Sequence, residues 1–157
     1  MAIITLNNNS LSNISSLPNG IVTAGALASG VGGKVLQVVQ GTDTNARSTT
    51  SSSYVSGTIN ASITPSSTSS KILVHITGTM RHGTFNIFRN STDLGGGQGF
   101  GEAYTGSDNA IGAIHYLDSP STTSSVTYTG YMKANYGGTC YFGVGGFTVI
   151  TLMEISA

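Results

Sequence analysis

The chain has 157 residues, of which 22 are Gly, 22 Ser and 21 Thr, while only 8% are charged and six basic residues balance six acidic ones. An ordinary globular domain is roughly 25% charged, so a chain this neutral has no electrostatic footprint for nucleic acid and no polybasic surface for anionic lipid. A hydrophobic content of 38% is too high for a disordered polar tail, and a single folded domain is expected.

The first 33 residues stand apart by pattern. Ile3, Ile4, Leu6, Leu11, Ile14 and Leu17 are separated by Asn, Ser and Pro18, and the small, flexible run IVTAGALASGVGG follows. The segment is too broken to build a core of its own and too apolar to be a solvated tail. It reads as an extended arm, with those six apolar residues as its grip on a neighbouring subunit; an arm folded back on its own domain is the alternative. It carries no basic n-region and no apolar stretch of signal-peptide length. Nowhere does an apolar run approach the ~20 residues that span a bilayer.

From Lys34 onward the hydrophobic period is two, the signature of half-buried strands. Val35–Gln40 opens the series. In Tyr54–Thr64, Val55, Gly57, Ile59, Ala61 and Ile63 point one way; in Lys71–Met80, Ile72, Val74, Ile76, Gly78 and Met80 do so. Between them lies TPSSTSS, a turn cluster whose Pro65 would cost a ladder its donor. Thr84–Arg89 is the next strand, and NSTD at 90–93 is its turn. Ala110–Leu117, Val126–Ala134, Thr139–Val144 and Phe147–Ile155 complete about eight strands. No segment keeps a helical period over three turns. The expected fold is all-β: a single antiparallel β-sandwich or jelly roll over residues 34–157, preceded by the arm of residues 1–33.

The last strand carries apolar residues on both faces, with Phe147, Val149, Thr151, Met153 and Ile155 on one and Thr148, Ile150, Leu152 and Glu154 on the other. One face meets the core, and the other is expected to meet a second subunit. Phe147, Val149, Ile150, Leu152 and Met153 are therefore the candidate subunit-interface residues. Tyr104, Tyr116, Tyr128, Tyr131, Tyr136 and Tyr141 crowd the same half of the chain and fit an interface or a cross-strand role.

Chemistry is harder to find. His75 and His115 sit mid-strand among apolar neighbours, and His82 lies at a strand end. No G-x-S-x-G elbow is present to seat a nucleophile. Of the carboxylates, Asp43, Asp93, Glu102, Asp108, Asp118 and Glu154, most stand in turns, and no pair suits glycoside cleavage. GGGQGFG at 95–101 lacks the GK[ST] ending of a P-loop and reads as a hairpin limb or bulged edge strand. Arg81 and Arg89 bracket a strand and are expected to pair with Asp93 or Glu102. The single Cys140 reads as a small buried hydrophobe. No enzyme activity, metal site or cofactor is expected.

The runs GKVLQVVQ (33–40), NASITPSSTSSKILV (60–74), FRNSTDLG (88–95) and FTVITLMEI (147–155) resemble the jelly-roll modules of tailed-bacteriophage virion proteins, most specifically in ITPSSTSSKILV. The resemblance covers roughly residues 33–157. It implies a compact homotrimer, similar in outline to C1q- and TNF-like trimers, with the first and last strands near the threefold axis. It implies two roles. One is a capsid decoration (cement) protein on the outer surface of the head, its arm bridging subunits of the major capsid protein. The other is a receptor-binding module at a tail-fibre or tail tip, gripping host polysaccharide through loops such as 95–109. The short chain, its start at Met1 and the lack of a repetitive shaft favour the first.

Overall fold

The computed structural model describes residues 34–104, 108–135 and 137–157. The alternation written into the sequence becomes two antiparallel sheets packed face to face. The strands are β1 (Val35–Asp43), β2 (Arg47–Thr49), β3 (Val55–Ile63), β4 (Lys71–Arg81), β5 (Gly83–Arg89), β6 (Thr92–Asp93), β7 (Gly101–Ala103), β8 (Ala110–Asp118), β9 (Val126–Ala134), β10 (Cys140–Phe142) and β11 (Thr148–Ile155).

In the first sheet β1 pairs with β11, β11 with β4 and β4 with β8. β10 lies in line with β11 along the same side of β4, and β2 in line with β1, so the sheet is four strands wide. The second sheet runs β3–β9–β5, with β6 and β7 end to end on the outer edge of β5. The pairings are nested: β1 with β11, β3 with β9, β4 with β8, and β5 with β6 and β7. That nesting is a long hairpin rolled over on itself, the winding of a jelly roll.

Ile72, Val74 and Ile76 of β4 and Ile150 and Leu152 of β11 meet Ile59, Ile63, Ile87 and Met132 of the opposite sheet in one core. Fully burying an aliphatic side chain of this size contributes about 1.5–3 kcal/mol. Cys140 is buried in the same cluster, where the apolar surroundings push its thiol up to about 12. It is a packing residue, as the sequence suggested.

Two polar clusters tie one end of the sandwich, where Glu154 and Asp118 both lie level with Ile72 of β4. In the first, Glu154 is buried and accepts hydrogen bonds from the Ser66 backbone N–H (2.7 Å), the Ser66 hydroxyl (2.6 Å) and Gln37 Nε2 (2.6 Å). Gln37 Nε2 also donates to the Thr64 carbonyl, so one carboxylate fastens β1 and the β3–β4 turn to β11. The TPSSTSS run thus has a structural job beyond reversing the chain. In the other cluster Arg89 Nη1 donates to both oxygens of Asp118 (3.0 and 2.8 Å), and the buried Tyr128 hydroxyl donates to Asp118 Oδ2 (2.6 Å). Burial and the adjacent carboxylate both push the Tyr128 phenol up. Arg89 therefore reaches across to β8, and the expected pairing with Asp93 or Glu102 is not formed.

β5 is buried on both sides, where a half-buried strand was expected. The cause is the glycine-rich run, which folds over it. Leu94 N–H donates to the Ile87 carbonyl and Phe100 N–H to the Phe85 carbonyl. Asp93 takes the N–H groups of Gly95 (2.8 Å) and Gly97 (2.9 Å), and Asn86 Nδ2 donates to the same carboxylate (2.7 Å). Gly96, Gly97 and Gly99 adopt positive φ, the left-handed region where glycine has no Cβ penalty. The segment is a tethered flap on the sheet, not a loose hairpin limb.

Candidate functional site

Because β4, β8 and β11 turn their even-numbered residues into the core, their odd-numbered residues form the outer face of the first sheet. Register aligns these with β1 in transverse rows. Val38, Met153, Leu73 and Leu117 form one row; Gln40, Thr151, His75 and His115 the next; Thr42, Val149, Thr77 and Ala113 the third. Thr79 and Ile111 extend the face, and Ile111 is 88% exposed. None of these positions carries a carboxylate, lysine or arginine. Lys71 and Arg81 stand only at the two ends of β4, the latter with its guanidinium 3.9 Å from the Tyr141 ring centre.

The outer face of the second sheet differs in kind. Ser56, Thr58, Asn60, Ser62, Thr127 and Thr129 supply hydroxyls and one amide, with Ser62 and Thr127 hydrogen-bonded across the ladder at 2.7 Å, and the aromatic residues there, Phe88 and Tyr131, are stacked on each other. An antiparallel sandwich in water is expected to look like that on both outer faces. The first sheet's outer face, uncharged and apolar at half of its positions, is the candidate contact surface.

The interface expected from the last strand divides accordingly. Val149 and Met153 lie on the outer face, half-buried, and Phe147 is 69% exposed beside it. Ile150 and Leu152 are corrected: both point inward and are completely buried in the core of their own chain, so they have no surface to offer a partner. Val38, Leu73, Leu117 and Ile111 belong to the face and were missed. The signal was present, since Leu73 interrupts an otherwise polar set of outward positions on its strand. The arm residues Ile3, Ile4, Leu6, Leu11, Ile14 and Leu17 lie outside the described residues, as does Tyr136.

The other tyrosines serve packing. Tyr128 is in the core, Tyr131 stacks on Phe88 (3.9 Å between ring centres), Tyr116 packs on Phe100, and the exposed Tyr104 lies against His82.

A second feature is a shallow polar cleft of about 630 Å³ beside the glycine-rich flap, lined by Ser52, Thr84, Gln98, Glu102, Lys133 and Asn135 among others. Asn135 Nδ2 donates to Thr84 Oγ1 (2.7 Å) and Glu102 Oε1 (2.8 Å), and Lys133 Nζ donates to the Gly97 carbonyl (3.1 Å). One acid, one base and several amides and hydroxyls suit a neutral polyhydroxylated ligand better than an ion. Among the described residues, no group of three or more His, Cys, Asp or Glu side chains comes together. Compared with protein-family models and with curated proteins, the chain matches none.

Proposed function

We propose that the chain is a non-enzymatic structural protein of a tailed-phage particle, working as a homotrimer that decorates the outer surface of the head. Copies meet through the outer face of β1–β11–β4–β8, and residues 1–33 engage the major capsid protein. The observation that supports the reading is that uncharged, partly apolar face. It brings no like charges together when two copies meet, and four strands spaced ~4.8 Å apart over some eight residues give it roughly 500 Å² in projection. That is commensurate with the ~800 Å² of accessible surface each partner buries in a stable complex. The threefold count and the location on the head rest on the resemblance to phage virion modules.

Light scattering on the purified chain tests the assembly, and Met153→Lys, which places a charge in the middle of the face, is expected to yield monomers. Deleting residues 1–30 is expected to leave the assembly folded and to abolish binding to capsids stripped of this protein. Capsid binding retained by the truncated chain would overturn the arm's role.

The polar cleft favours a second reading, a receptor-binding module at a tail tip. Under that reading Glu102→Gln lowers adsorption to host cells and leaves head stability untouched; under the first reading adsorption is unchanged.

A further inference from the structure

We propose that His75 and His115 form a binding site for a divalent transition-metal ion of the zinc, nickel or copper class. The sequence contains three histidines, and two of them stand directly opposite each other in the β4–β8 ladder. Both project from the same outer face, with ring centres 6.5 Å apart and ring planes at 51°.

Metal–nitrogen bonds of 2.0–2.1 Å place two imidazoles on one tetrahedral ion with ring centres about 5 Å apart. The rings must therefore close by about 1.5 Å, which rotation about the side-chain torsions of two surface residues supplies without backbone movement. Among the described residues flanking the pair, none is charged. Leu73 and Thr77 flank His75 on β4, Ala113 and Leu117 flank His115 on β8, and Thr151 lies opposite His75 on β11. The nearest cation along β4 is Lys71, four residues and ~13 Å away, with Arg81 six residues and ~20 Å away on the other side.

Imidazole nitrogen selects zinc, copper or nickel over magnesium and calcium, which prefer oxygen. Spacing rules applied to the sequence gave no metal site because the two ligands are brought together by strand pairing across forty positions. The pair lies within one chain, so the site stands independently of the proposed assembly. Its place at the centre of the contact face leaves its remaining coordination positions to water or to the histidines of another copy.

The test is equilibrium dialysis and calorimetry of the untagged full-length chain, stripped with EDTA, against zinc chloride. Saturable binding is expected at no more than one ion per chain, unaffected by excess magnesium. His75→Asn or His115→Asn weakens it at least tenfold, since losing even a hydrogen-bond partner of a metal ligand costs about 10–100-fold, while His82→Asn leaves it unchanged; thermal melts confirm that all three fold. The same titration on Met153→Lys exposes the pair if copies cover it, and binding in that variant alone also supports the site. Absence of saturable binding in both proteins up to about 1 mM zinc, the weak end of specific affinity, overturns the proposal. So does zinc binding that survives both histidine substitutions.

Discussion

Glu154 points inward from β11 at the end of the sandwich closed by the β3–β4 turn, and Glu154→Gln removes its charge while keeping its shape. Burial pushes the carboxyl up, but the hydrogen bonds from Ser66, Gln37 and Ser70 together outweigh it and hold it at about 2, against an ordinary 4.5. A difference of that size corresponds to about 3 kcal/mol. Hydrogen bonds to a charged group contribute ~1.5–3 kcal/mol net, and the lower part of that range, about 1–2 kcal/mol, is the expected contribution.

The sign follows from the folded value lying below the unfolded one. The stabilisation is fully present above pH ~4.5 and is lost as the pH falls towards 2. Urea unfolding of the wild type and of Glu154→Gln at pH 7 and at pH 2.5 reads it out. The variant is expected to be less stable at neutral pH, and the gap should narrow by about 1–2 kcal/mol in acid. A gap that does not change with pH would refute the claim that the ionised carboxylate holds the turn.

Three further outcomes follow from the packing. Arg89→Ala leaves the Asp118 carboxylate, 7% exposed, with the Tyr128 hydroxyl as its one remaining side-chain partner among the described residues, and should cost about 2–4 kcal/mol in denaturant melts; a loss under ~0.5 kcal/mol would mean the pair is only decorative. Gly83→Ala adds a Cβ that runs into Cys140 Sγ and the Lys133 carbonyl, and forcing β5 away from its neighbours should cost about 1–3 kcal/mol in thermal unfolding. Cys140, with its thiol at about 12, should resist iodoacetamide at pH 8 in the native protein and react once urea unfolds it; modification of the native chain at the unfolded rate would show the site to be open.

The long strands were legible because each repeats its apolar period over several residues, as in Ile72, Val74 and Ile76. β2, β6 and β7 were not, since two or three residues carry no period and exist only through their pairing with β10 and β5. β1 runs on to Asp43 because β11 offers a partner that far, not because Gly41, Thr42 and Asp43 favour a strand. The inward face of β11 begins and ends with Thr148 and Glu154, both buried. A strand with apolar residues on both sides does not declare which side is the core, so the expected interface set drew on both faces. The partners of Arg89 and Glu154 are 29 and 88 positions away, distances over which composition says nothing.

The contact face was half visible in Val149 and Met153. The rest of it depends on register, since Val38, Leu73 and Leu117 fall into one row with Met153 only once four strands are paired. The histidine pair has the same origin. Local patterning specified which segments became strands; the sheet order decided which side chains share a surface.

Sedimentation equilibrium of the untagged chain, with and without Met153→Lys, addresses the assembly directly. A mass three times that of one chain, falling to a single chain on substitution and insensitive to salt because the face is uncharged, is the expected result. A wild-type chain that stays monomeric at high concentration, its outer face open to water, would contradict it.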